Sequence, residues 1–228
     1  MSQKYIQLAG GQVAVLGPDS PFPPIEHALS NPNGLIAIGG DLSEARLLAA
    51  YSNGIFPWFS EGQPIMWWSP DPRMVLFPEE LNISRSMAKR LKRSDYEVRF
   101  NTAFTQVMQA CAQAQRPEQD CTWITEAMIK AYSALHASGH AWSAETWVDD
   151  ELLGGLYGVA IGRILYGESM FHRMTDGSKI AFIHLVQHLQ QQGFGLIDCQ
   201  MRTSHLASLG AREISRQAFL QQVSALIK

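Results

Sequence analysis

Two carboxylates, Glu168 and Asp198, stand in apolar company, in Gly167-Glu168-Ser169-Met170-Phe171 and Leu196-Ile197-Asp198-Cys199-Gln200. An ionised carboxylate left alone in an apolar interior is very costly, so each is either hydrogen-bonded by the fold or put to use. For Asp198 both readings stay open: an acid satisfied by backbone donors, or one that handles a proton or fixes an amine nucleophile. Gln200 follows two residues on, which places the two side chains on one face of the strand if extension persists.

Other chemistries fail on their residues. His184 and His188 share a helix face, but Leu185 stands where a zinc protease carries glutamate. Phe171 replaces the second glycine of a nucleophile elbow around Ser169. No phosphate-cradling glycine loop opens a helix after a strand, and Arg173 to Lys179 lacks the pyrophosphate pattern of an acyl-CoA-dependent acetyltransferase. Cys111, Cys121 and Cys199 have no paired spacing, so reduced thiols are expected, and no metal site.

The elements that must position these residues follow from punctuation and period. Gly154 to Phe171 carries five glycines among apolar residues. It reads as a hairpin folded about Gly162 whose glycines admit a close approach of backbone or ligand. A strand over 141–148 and a turn at Asp149-Asp150 lead into it. Helices are expected from the Asp41/Glu44 capping pattern, from Ser84, over 102–115 and 125–138, from Ser178 to 192, and over 216–226. Short strands are expected near 74–77 and 196–199.

Residues 1–40 read as loops and short strands, and Trp58, Trp67 and Trp68 crowd the proline-rich region that follows the first helix. Such tryptophans either roof a core or stack on rings, bases included. The helix after Ser84 carries Arg85, Lys89, Arg90, Lys92 and Arg93 in a chain of net charge −3. That local density marks either a solvated face or a phosphate-backbone contact. No apolar run reaches the roughly 20 residues needed to span a bilayer, and the start lacks a signal-peptide core, so a cytoplasmic location is expected. With 228 residues, 46% of them hydrophobic, the expected fold class is α+β. A small N-terminal domain, 1–80, packs on a larger mixed-sheet domain, 81–228.

Seven blocks in order resemble the bacterial leucyl/phenylalanyl-tRNA–protein transferase family. They are Asn33-Gly34-Leu35 with Gly39-Gly40-Asp41-Leu42, Gly54-Ile55-Phe56-Pro57-Trp58-Phe59, Trp67-Trp68-Ser69-Pro70-Asp71-Pro72-Arg73, Thr122-Trp123-Ile124-Thr125, Gly154-Gly155-Leu156-Tyr157-Gly158-Val159-Ala160, Gly167-Glu168-Ser169-Met170-Phe171 and Leu196-Ile197-Asp198-Cys199-Gln200. The resemblance implies transfer of Leu or Phe, and less well Met, from aminoacyl-tRNA to the α-amine of proteins starting with Arg or Lys. This is a step that tags them for N-end-rule degradation. It also implies an acetyltransferase-like C-terminal domain, no cofactor, no metal and no membrane, and a monomer whose partners are Leu-tRNA, Phe-tRNA and the acceptor proteins.

Carried over residue by residue, Trp58 and Trp123, with Tyr51 nearby, look like the holders of the tRNA 3′ adenosine. Glu168 looks like the group facing the basic acceptor residue, and Asp198 with Gln200 like the pair assisting the attacking amine. Met170 resembles a wall of the Leu/Phe pocket. Arg85 and the basic residues Lys89, Arg90, Lys92 and Arg93 match a region contacting the acceptor stem. Leu165 and Leu185 depart from the pattern, standing where phenylalanines of the pocket are expected.

Overall fold

A computed structural model describes residues 3–114 and 122–228; Cys121 lies outside them. The chain opens with β1 (Lys4–Leu8) and β2 (Gly11–Leu16), an antiparallel pair, and β3 (Leu35–Gly39) runs parallel to β2. Helix α1 (Glu44–Ser52) follows, with Ser43 rather than Asp41 as its N-cap; Asp41 Oδ1 instead accepts the Ser43 N–H at 2.9 Å. Then β4 (Phe56–Pro57) and β5 (Met66–Trp68) complete a five-stranded sheet of order β1-β2-β3-β5-β4.

The next strand, β6 (Arg73–Leu76), already belongs to a second sheet, so sheet membership changes between Trp68 and Arg73, ahead of residue 80. That sheet gains α2 (Arg85–Leu91) and β7 (Glu97–Phe100), then α3 (Phe104–Gln113) and α4 (Glu126–Ala137). The meander β8 (Ala141–Val148), β9 (Glu151–Ile161) and β10 (Ile164–His172) forms its centre. Helix α5 (Gly177–Gln191), β11 (Leu196–Gln200), α6 (Ser204–Ser208), β12 (Arg212–Ile214) and α7 (Arg216–Leu226) finish the chain. The seven strands lie in the order β12-β6-β11-β10-β9-β8-β7, a mixed sheet in an α+β fold.

One face of this sheet packs on α5 through Ile180, Ile183 and Leu185, which meet Leu156, Leu165 and Ile197. The other face buries Tyr157, Tyr166 and Phe171 against α3, α4 and residues of the first sheet, in one shared apolar cluster. Ser84, Thr125 and Ser215 cap α2, α4 and α7 as side-chain acceptors. Helix α5 differs from expectation: its N-cap is Asp176 at φ 64°, and Ser178 is buried in the first turn. Asp149 and Asp150 both take positive φ, as a tight primed hairpin turn requires.

The glycines of β9 and β10 serve packing. A Cβ on Gly154 would come within 2.4 Å of the Gly177 carbonyl carbon, so β9 and the start of α5 touch backbone to backbone. Gly162 turns the hairpin at φ 57°. Gly154, Gly155, Gly158 and Gly162 each abut protein backbone, and Gly167 lines the cavity described below, so most of the close approaches are to backbone rather than to a ligand. Gly154→Ala is expected to lower folding stability by about 1–3 kcal/mol through forced separation of β9 and α5. An unchanged urea midpoint would show that the contact yields freely.

Candidate active site

Strands β10 and β11 run parallel only as far as Tyr166 opposite Asp198. There both strands break register: β10 bulges between Gly167 and Ser169 against β9, and β11 between Asp198 and Gln200 against β6. Two neighbouring strands that bulge at one level part from each other, and ligands favour such crevices at the carboxyl ends of parallel strands. A cavity of about 450 Å³ opens at this point, lined by Glu168, Met170, Gln200, Trp58 and Trp123 among others.

Glu168 faces the cavity with protein behind it. The Tyr51 hydroxyl donates to Oε1 at 2.7 Å, the Tyr132 hydroxyl reaches Oε2 at 3.4 Å, and the two hydroxyls hydrogen-bond each other. Burial pushes the Glu168 carboxyl up to about 8; the Asp198 charge adds to this, and the tyrosine hydrogen bonds and Arg73 oppose it. Both phenols are driven far above their ordinary value, burial first and then the Glu168 charge, so they remain donors. Tyr51 is fully buried on α1 and does not line the cavity; it stands behind Glu168 rather than beside the tryptophans. Tyr132 carries no sequence signal, since it sits among the apolar positions of α4.

Asp198 is also fully buried and does not line the cavity. Its Oδ1 accepts Arg73 Nε at 2.8 Å and the Gln200 N–H at 3.0 Å, and its Oδ2 accepts an Arg73 terminal nitrogen at 2.6 Å. The Arg73 guanidinium lies between the rings of Phe56 and Phe219, 4.7 and 4.5 Å from their centroids, and donates to the Gly54 carbonyl at 3.1 Å. Asp198 and Gln200 do not share a face. Gln200 takes φ 56°, and the Met201 N–H closes back on the Cys199 carbonyl at 2.7 Å. The bulge ends the alternation, leaving Asp198 below and Gln200 at the cavity.

The walls are aromatic and apolar. Trp58 is half-buried and Trp123 is 8% exposed, both at the cavity, whereas Trp67 is core and Trp68 braces the Trp58 carbonyl through Nε1 at 2.8 Å. Leu165 and Leu185 are not pocket walls. Both are buried between the sheet and α5, because strand alternation turns Leu165 toward that helix and Leu185 faces the sheet. Leu156, Phe182, Ile197 and Cys199 line the cavity instead, beside Met170. Burial raises the Cys199 thiol far above its ordinary value, so it stays protonated.

The leucyl/phenylalanyl-tRNA protein transferase model matches residues 75–224, and the model of that transferase's N-terminal domain matches residues 40–71. The chain belongs to this transferase family. A leucyl/phenylalanyl-tRNA protein transferase of Chromobacterium violaceum is 63% identical over 205 residues, 90% of this chain and 88% of its own. One from Nitrosomonas europaea is 61% identical over 214 residues, 94% and 90% of the two chains. Among solved structures, a GCN5-related N-acetyltransferase from Kribbella flavida aligns over 90% of this chain and 78% of its own, at 10% identity and a TM-score of 0.41.

In this transferase the basic helix α2 is partly committed to the fold. Arg90 pairs with Asp95 at 2.6 Å and lies 5.0 Å from the Tyr96 ring, and Arg93 pairs with the same carboxylate at 2.8 Å. Arg85, Lys89 and Lys92 are exposed, with no ion-pair partner among the described residues. None of the five lines the cavity. No helix among the described residues is long and apolar enough to cross a membrane.

Proposed function

We propose that this transferase moves Leu or Phe, and less well Met, from aminoacyl-tRNA onto the α-amine of proteins that begin with Arg or Lys, marking them for N-end-rule degradation. It acts in the cytoplasm as a monomer. The observation that carries this reading is a single cavity holding two tryptophans, an apolar chamber and one carboxylate. Trp58 and Trp123 offer faces on which the terminal adenine stacks. Met170, Leu156 and Phe182 form a chamber of apolar side chains for Leu or Phe. Apolar chambers separate neighbouring side chains by only about 1–3 kcal/mol per methylene, so Met is accepted at reduced rate.

Glu168 faces the basic first residue of the acceptor, with its Oε2 left to accept a hydrogen bond. Gln200 presents its side chain to the attacking amine, and Asp198 assists by holding the Gln200 N–H and hence the turn. Arg85, Lys89 and Lys92 supply free positive charge for the acceptor stem, with Arg90 and Arg93 sharing theirs with Asp95. The test is transfer from Leu-, Phe- and Met-tRNA onto peptides identical except for a first residue of Arg, Lys or Ala. The expected order is Leu and Phe above Met, with Arg and Lys used and Ala refused. Equal use of Ala would remove the acceptor assignment.

A further inference from the structure

We infer that Glu168 is the catalytic group that takes the proton from the acceptor's α-amine, with Tyr51 and Tyr132 as its positioning residues; the inference rests on the aminoacyl-transfer reading above. Forming the new peptide bond requires one proton to leave the attacking nitrogen and one to reach the departing ribose oxygen. A group that serves must touch the cavity, have a free lone pair and hold a proton near working pH. Asp198 fails on the first two counts, since it is fully buried, and both its oxygens are occupied by Arg73 and Gln200.

Among the cavity-lining side chains the titratable ones are Glu168, Cys199 and His205. Cys199 stays a thiol, and His205 fails because its Nε2 is buried away from the cavity and burial holds its imidazole below the ordinary value, which keeps it unprotonated. Glu168 meets every requirement. Oε1 is anchored at 2.7 Å by Tyr51, and Oε2 has only the long 3.4 Å contact to Tyr132, which leaves that oxygen open to a ligand. The charged and titratable groups that act on it are Tyr51 from α1, Tyr132 from α4, Asp198 from β11 and Arg73 from β6. Burial brings its carboxyl up to about 8, beside the roughly 7.7–8.0 of an α-ammonium, so proton exchange between the two is close to even.

The step balances with these groups alone. The neutral amine attacks the ester carbonyl carbon, and as the N–C bond forms the nitrogen gives one proton to Glu168 Oε2. The C–O bond to the ribose then breaks while the Glu168 carboxyl passes that proton to the departing ribose oxygen. The carboxylate is regenerated and no other reactant is consumed.

The experiment measures kcat and acceptor KM between pH 6 and 9.5 for transfer onto an Arg-starting peptide. It uses wild type, Glu168→Gln, Tyr51→Phe and His205→Gln, with thermal melts to confirm folding. Wild-type kcat is expected to rise with pH and level off near 8. Glu168→Gln should lose about 10²–10⁴-fold in kcat at saturating acceptor. Tyr51→Phe removes a hydrogen bond that favours the carboxylate, so its rising limb should move to higher pH, a shift that the acceptor's own amine cannot produce. His205→Gln should keep the wild-type limb. A raised KM with preserved kcat in Glu168→Gln would make Glu168 a recognition group only and overturn the inference. So would loss of the limb in His205→Gln. Absence of transfer onto the Arg peptide by wild type would instead overturn the acceptor reading.

Discussion

Asp198→Ala is expected to lower folding stability by about 3–5 kcal/mol, the cost of leaving a buried charge without its partner. The Arg73 guanidinium is fully buried, and after the substitution only the Gly54 carbonyl and two aromatic faces remain to it. The ion pair joins distant parts of the chain: Gly54 and Phe56 near β4, Phe219 on α7, and neighbouring strands β6 and β11. Loss of one carboxylate therefore loosens the contact between the first sheet, the last helix and strands β6 and β11 together.

Replacing both partners separates structure from function. Arg73→Met with Asp198→Leu puts apolar volume where the ions stood, and exchanges of this kind are often neutral or stabilising. The double variant is thus expected to recover a urea midpoint near that of wild type. It should still transfer slowly, by about 10²-fold, because the Gln200 N–H has lost the acceptor that fixes its positive-φ turn. A single variant as stable as wild type would show that Arg73 finds another partner. A double variant with full activity would show that Gln200 needs no support from Asp198.

Glu168 and Asp198 were legible as special because an acid in a run of strand-forming apolar residues must be either hydrogen-bonded by the fold or put to use. Their partners were not legible. Arg73 stands 125 positions from Asp198, Tyr51 stands 117 from Glu168, and Tyr132 stands 36 away on a helix whose pattern shows only an apolar tyrosine. Helix starts at Ser84 and Thr125 could be read because the capping residue is adjacent to what it caps. The start of α5 could not, since Asp176 adopts a left-handed backbone that only the surrounding packing specifies. The same holds for Gln200, whose position depends on a bulge, and one inserted residue reverses every inference drawn from alternation. Leu165 and Leu185 show the limit of a family resemblance: it transfers positions along the chain, and the facing of strand β10 and helix α5 then decides which of them meet the cavity.

Glu168→Gln is expected to stabilise the protein at alkaline pH and leave it nearly unchanged in acid. The folded carboxyl titrates at about 8, against an ordinary value of 4.5. Below 4.5 it is protonated in the folded and unfolded chains alike, and the residue has no pH-linked cost. Between 4.5 and 8 the unfolded chain releases the proton while the folded chain retains it, so stability falls as pH rises, and the loss is complete above 8. With cavity water screening part of the effect, its size is of order 2–4 kcal/mol. Glutamine still accepts from the Tyr51 hydroxyl and carries no charge to desolvate. Melting curves of the two proteins should therefore converge at pH 5 and separate by several degrees at pH 9, the variant melting higher. Parallel curves across that range would mean that Glu168 titrates as an ordinary surface acid, and would remove the proton match with the acceptor amine. A variant more stable and yet far slower would identify Glu168 as a group held against the preference of the fold, in the way working acids and bases are.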